Sequence, residues 1–174
     1  MSLPSIFNDV LGPVMRGPSS SHSAAAQRIG RLARDLRQGR IQRVVVDYDP
    51  SGSLVTTHRT QGSDLGLAGG LLGWEADDER LKDYARELKK AGIEVEVRYL
   101  DYKAEHPNTY RLALHDGEVV RTLTAISTGG GMIEVQSLNS IPVCLHGDLH
   151  ELFIIGSGAG DGLISELTKH SDVV

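Results

Sequence analysis

The sequence predicts an α+β fold in which helices pack on a largely antiparallel sheet. Three observations predict it. Apolar residues recur at helical spacing over residues 22–38 and charges suit a helix over 77–92, stretches of alternating apolar and polar residues gather after residue 92, and Asp116-Gly117 joins two of those stretches as a hairpin. Strands grouped after helices, rather than alternating with them, favour an antiparallel sheet over parallel βαβ units.

The elements follow in order. Residues 5–12, SIFNDVLG, are long enough for a helical turn or two before the Gly-Pro pairs at 12–13 and 17–18. In the first long helix Ile29, Leu32, Ala33 and Leu36 share a face, and Gly39 marks the stop. Residues 41–49, IQRVVVDYD, read as a strand, and PSGS turns the chain. LVTTHRT is predicted to continue as a second strand or extended loop. Residues 62–74, GSDLGLAGGLLGW, offer Ser63 and Asp64 as caps, but each interior glycine weakens a helix by roughly 1 kcal/mol relative to alanine. If this stretch is helical, its glycines permit close packing against another element. Residues 77–92 have an acidic first turn, a basic last turn and a following glycine, which suits the helix dipole. IEVEVRYLD, TYRLALHD, EVVRTLTAIST, MIEVQSL and IPVCLHG then read as strands, with Gly129 to Gly131 marking a bulge or a close backbone approach.

The last stretch, from residue 150, places an apolar strand before a glycine-rich turn and an amphipathic helix, like the opening half of a small ferredoxin-like domain. The expected division is therefore a main domain over residues 1–146 and an incomplete start of a second over 147–174. Glycines at 156, 158, 160 and 162 depart from the dinucleotide-binding spacing, and no second βα unit follows to carry a ribose-binding carboxylate. The half-built tail is expected to be either a truncated domain or a shortened tail, and its uncovered apolar strand makes a homodimer an expectation.

Composition narrows the function classes. A net charge of −5 lacks the basic footprint of a nucleic-acid binder. Arg28, Arg31, Arg34 and Arg37 fall at helical spacing and read as a solvated face or a contact with an acidic partner. No apolar run approaches the ~18 to 20 residues of a membrane span, and the first residues lack the pattern of a signal peptide, so the expected location is the cytoplasm. One cysteine, Cys144, permits neither an internal disulfide nor an all-cysteine metal site. His146 and His150 are four apart, but Gly147 and Asp148 favour a turn there and no third metal ligand has the spacing.

Residues 17–24, GPSSSHSA, concentrate hydroxyls at the mouth of a helix. Ser20 or Ser21 as N-cap accounts for one serine, worth about 1 kcal/mol. The whole run, Ser19, Ser20 and Ser21 with free amides at a helix N-terminus, makes an anion site suited to a carboxylate or phosphate. His22 in that turn faces the positive end of the dipole, which disfavours its protonation; a neutral imidazole beside a bound carboxylate is a proton acceptor. Activation of a serine nucleophile by His22 lacks an orienting third group, and neighbours on a helix seldom point at one another.

GPSSSH before an alanine-rich helix resembles the entry motif of the β chain of iron–sulfur-dependent L-serine dehydratases. GSLVTTHRTQGSDLGLAGGLLGW is similar to that family's segment GSF…T.KGHGTD…GGLL, HPNT at 106–109 to its tetrapeptide, and AISTGGGMIEV at 125–135 to its glycine-rich strand. The resemblance runs from about residue 7 to residue 135. It implies a serine dehydratase β-type domain, similar to the allosteric substrate-binding domains of some phosphoglycerate dehydrogenases, followed in two-chain members by an ACT-type domain whose opening strand and helix the tail resembles. It also implies the conversion of L-serine to pyruvate and ammonia, with an α-proton removed and the hydroxyl leaving towards an exposed iron of a [4Fe–4S] cluster. A cluster needs several thiolates, so with one cysteine here it would sit in a partner α chain. By the resemblance Ser19, Ser20, Ser21 and His22 line the site at the interface, with Ser63, Asp64, Asn108 and Thr109 as further candidates.

Arg59-Thr60-Gln61-Gly62-Ser63-Asp64 departs from KGHGTD where the family's histidine would be the base. Gln61 holds a hydrogen bond but takes no proton. His58 lies three residues earlier, about 10 Å away if the segment is extended, so it reaches that position only if the loop folds back. Ser23 replaces the threonine usual after the family's histidine and keeps the hydroxyl. The tetrapeptide HPNT reads either as a strand-entry turn or as a site element through Asn108. Two functions remain open: an L-serine dehydratase β subunit that is inactive without its α chain, or an allosteric module binding serine or another small carboxylate. A free-standing serine hydrolase ranks last for want of an orienting acid and an oxyanion hole.

Overall fold

The structure, a computed structural model, describes residues 12–149 together with Gly162, Ser165, Glu166 and Lys169. The expected turn at 5–12 falls almost wholly outside the described residues, as do His150 and most of the strand, glycine turn and helix of the tail.

The fold is α+β, as the sequence predicts. Six strands form one sheet in the order β2-β1-β3-β4-β5-β6. They are β1 (Arg43–Tyr48), β2 (Glu94–Tyr99), β3 (Thr109–Asp116), β4 (Val119–Gly129), β5 (Met132–Leu138) and β6 (Ile141–Leu145). The β1–β2 pair is parallel, since the intervening chain crosses over through helices; every other neighbouring pair is antiparallel. The Asp116-Gly117 hairpin forms between β3 and β4, and the register of β4 against β5 shifts at Ser127–Gly129, where Gly129, Gly130 and Gly131 all take positive φ.

Four helices accompany the sheet: α1 (Ala25–Leu36), α2 (Leu54–Thr57), α3 (Ser63–Leu72) and α4 (Tyr84–Lys90). One core gathers Ala25, Ala26, Ile29 and Ala33 of α1 and Leu67 and Leu71 of α3 with Val44, Val46, Leu112, Leu114, Leu123 and Val135 of the sheet. The glycines of α3 serve the close approach the sequence suggested. A methyl on Gly70 would stand 2.5 Å from the Arg31 amide nitrogen, and one on Gly66 would stand 2.8 Å from the Ser23 carbonyl carbon. The two backbones touch, and a stretch of poor helix formers is held helical by packing.

Several expectations change. LVTTHRT is not a strand: α2 and the turns after it are helical. The Ser53 amide donates to the Pro107 carbonyl, and the Ser53 carbonyl accepts from the Thr56 and Thr57 hydroxyls at 3.2 and 2.8 Å. These local bonds override the strand preference of threonine and valine. The helix expected over 77–92 begins as a 3₁₀ turn (Glu79–Asp83), capped by Asp78 accepting from the Arg80 amide. The arginines of α1 meet partners within this chain: Arg28 reaches the His146 and Gly147 carbonyls, Arg31 pairs with Glu75, and buried Arg37 donates to Asp116 at 2.6 Å.

Candidate functional site

The serine run enters α1 through a wide π-helical turn (Ser20–Ala24). Ser19, not Ser20 or Ser21, holds the N-cap position, and no side chain caps that turn. The Ser19 carbonyl accepts from the His22 and Ser23 amides at 3.2 and 2.7 Å. Among the described residues the Ser20 and Ser21 amides find no backbone acceptor outside the helix, which leaves donors and the positive end of α1 facing the same space.

His22 stands at the centre of the polar contacts. Its Nδ1 lies 3.1 Å from Ser19 Oγ and 3.3 Å from Ser21 Oγ, and its Nε2 lies 3.0 Å from Thr57 Oγ1. Thr57 has one hydroxyl proton and donates it to the Ser53 carbonyl, so it accepts from the ring. That fixes the proton on Nε2 and turns the Nδ1 lone pair towards the serines. Burial holds the His22 pKa below the ordinary imidazole value, and this desolvation favours the neutral ring.

The bonds continue into a closed ring. Ser53 Oγ donates to Asn108 Oδ1, the Asn108 carbonyl accepts from the Ser127 amide at 3.1 Å, and Ser127 Oγ donates to the Ser21 carbonyl at 2.7 Å. Ser21, His22, Thr57, Ser53, Asn108 and Ser127 thus link the entry to α1, the α2 turn, the start of β3 and the end of β4. All four of the motifs read in the sequence meet there, and Asn108 belongs to the ring.

The segment that supplies Ser53 and Thr57 also meets the helix entry through its backbone. Ser23 Oγ donates to the Gln61 carbonyl at 3.1 Å, and Gly62, at φ 87°, turns the chain into α3 against Ser23. The other candidates lie apart from His22. Ser63 is fully buried and accepts from the Tyr110 hydroxyl at 2.8 Å. The Thr109 hydroxyl donates to the His106 carbonyl at 2.6 Å. Asp64 makes no hydrogen bond with His22; its Oδ1 meets His58 Nδ1 at 2.7 Å. Ser20 makes no side-chain hydrogen bond among the described residues.

His58 overturns the extended reading. Helical winding brings it back onto Asp64, and its Nε2 meets the Tyr99 hydroxyl at 2.8 Å. The imidazole is 2% exposed and stacks near the rings of Tyr48 and Tyr99, with centroids 5.2 and 6.0 Å away. Burial pushes the phenols of Tyr48 and Tyr110 well above their ordinary value, so both stay protonated. Beyond α3 a cleft of about 730 Å³ opens between α3, α4 and β2, with Leu67, Leu88, Val97, Arg59 and Asp64 on its wall. Ser53, Thr57, Ser127 and Tyr99 were not singled out from the sequence, although the first three lie within the quoted motifs.

The donors do not fit an iron–sulfur cluster. Cys144 is the chain's one cysteine and is exposed on β6, and among the described residues no group of three His, Cys, Asp or Glu side chains converges. No described helix is long and apolar enough to cross a membrane.

No family model matches the chain. It is similar to the probable L-serine dehydratase, beta chain, of Bacillus subtilis (strain 168), 38% identical over 98% of this chain and 78% of that protein. It is also similar to the L-serine dehydratase, beta chain, of Peptoniphilus asaccharolyticus, 30% identical over 84% of this chain and 66% of that protein. An identity of 38% across nearly the whole length of the chain leads to one conclusion: the chain belongs to the L-serine dehydratase β-chain family.

Proposed function

We propose that this chain is the β subunit of an iron–sulfur L-serine dehydratase, acting in serine degradation, and that it supplies the wall of the active site that binds the substrate carboxylate at the interface with a cluster-bearing α chain. The observation that carries the proposal is the ring about His22, which fixes Nδ1 as an acceptor beside two hydroxyls and free helix-entry amides. The carboxylate of L-serine sits against the Ser20 and Ser21 amides, with Ser19 and Ser21 hydroxyls orienting it. His22 Nδ1 is the group able to receive a proton at this wall, because the ring is neutral and its other nitrogen is committed to Thr57. Gln61 contributes no proton chemistry. The cluster belongs to the α chain, since this chain lacks the thiolates, and no step here is routed through it.

A second reading, an allosteric module binding serine or another small carboxylate, is favoured by one observation: glutamine stands where the family carries histidine, and binding survives that change. Calorimetric titration with L-serine separates the two. The subunit reading predicts binding by the assembled pair and none by the isolated chain; binding by the isolated chain that both Ser20→Ala and His22→Ala abolish would favour the module.

A further inference from the structure

Asp64, His58 and Tyr99 form a second polar constellation, which shares no side-chain hydrogen bond with His22. Asp64 Oδ1 stands 2.7 Å from His58 Nδ1, and His58 Nε2 stands 2.8 Å from the Tyr99 oxygen. A carboxylate accepts from the ring, so the proton resides on Nδ1 and the Nε2 lone pair faces the phenol, which donates to it. The order carboxylate, imidazole, hydroxyl is that of a catalytic triad, with a phenol as the terminal group. The imidazole is 2% exposed and Asp64 is partly buried, while Tyr99 is 52% exposed on edge strand β2, so the buried ring holds a group that solvent and ligands can reach. The Tyr48 ring packs beside His58 and its buried hydroxyl has no partner, so Tyr48 does not compete for Nε2. Asp64 also lines the cleft between β2, α3 and α4, which gives a small ligand room next to the constellation.

We propose that Tyr99 is a second reactive group of this chain, a general base towards a small ligand carrying an acidic proton, with His58 and Asp64 as its positioning residues. The ligand's proton passes to the Tyr99 oxygen as the phenolic proton passes to His58 Nε2. The products are a deprotonated ligand and an imidazolium that the Asp64 carboxylate balances. The inference does not rest on the dehydratase reading, and His22 takes no part in it.

The test uses an aryl sulfonyl fluoride on the full chain, with labelled tyrosines mapped by mass spectrometry. The probe follows the same proton path: the Tyr99 O–S bond forms, the S–F bond breaks, fluoride leaves, and His58 takes the proton. Tyr84 and Tyr102 are half-buried without an imidazole partner and serve as internal references, while buried Tyr48 and Tyr110 report any unfolding by becoming labelled. Tyr99 is expected to label at least about tenfold faster than Tyr84 and Tyr102, and His58→Gln is expected to bring it down to their rate. If His58→Gln exposes Tyr48 and Tyr110, Asp64→Asn decides instead, with a severalfold fall expected in Tyr99 labelling alone. Labelling of Tyr99 at the reference rate, or a rate indifferent to the folded His58 or Asp64 variant, would overturn the proposal.

Discussion

Gly66→Ala tests whether backbone contact between α1 and α3 holds the two halves of the site in register. An alanine methyl would stand 2.8 Å from the Ser23 carbonyl carbon and 3.1 Å from the Gln27 amide nitrogen, and closer still to the Ser23 oxygen. The Ser23 oxygen sets the demand, since Cβ atoms essentially never come closer than about 3 Å to a backbone atom, so the helices must part by about 1 Å at the residue that follows His22. The obstructing atoms are backbone and cannot rotate away, which places the cost near the upper end of overpacking, about 3 kcal/mol. Alanine's helix preference over glycine returns about 1 kcal/mol, leaving a net loss of about 2 kcal/mol. For a chain of this size that is a fall in Tm of about 4–8 °C, read by circular dichroism. The separation also pulls Gln61 away from Ser23 Oγ, so serine binding by the assembled enzyme weakens with it. An unchanged or raised Tm, with alanine's helix preference unopposed, would refute the contact.

Other perturbations have equally definite outcomes. His22 has a lowered folded pKa, so its neutral form contributes stability that is fully present above the ordinary value of 6.5 and is lost as the pH falls through the lowered value; His22→Gln removes that part of the acid-side loss in Tm measured against pH. Thr57→Val strips His22 Nε2 of its acceptor, costs about 1–3 kcal/mol in urea unfolding and raises the KM for L-serine. Asp116→Ala leaves the buried Arg37 guanidinium without its carboxylate and costs about 2 kcal/mol by the same measurement, below the 3–5 range of fully buried pairs because Asp116 is partly exposed.

The sheet was legible because each strand carries its own evidence: alternation in IEVEVRYLD and TYRLALHD, a hairpin pair at Asp116-Gly117, and a glycine run where β4 shifts register. The glycine-rich α3 was legible only as a condition, since its helicity depends on α1 lying against it. LVTTHRT misled because valine and threonine favour strands when isolated, whereas here the Ser53 carbonyl takes two threonine hydroxyls and the Ser53 amide is anchored to Pro107. That error hid two side-chain contacts as well. An extended segment holds His58 away from Asp64, while a helical turn puts Thr57 on His22 and His58 on Asp64 from adjacent positions. Ser19, Ser21, His22 and Asn108, candidates from the motifs, lie in or beside the hydrogen-bonded ring; Ser53, Thr57 and Ser127 were not singled out, because their contacts arise from tertiary closure of the ring.

The most direct measurement is anaerobic formation of pyruvate from L-serine by this chain alone, by a cluster-bearing α chain alone, and by the two together, each repeated with His22→Ala. The account predicts turnover only in the mixture and its loss in the variant, with assembly of the pair retained. Full turnover by the α chain alone, or by the mixture containing His22→Ala, would contradict it.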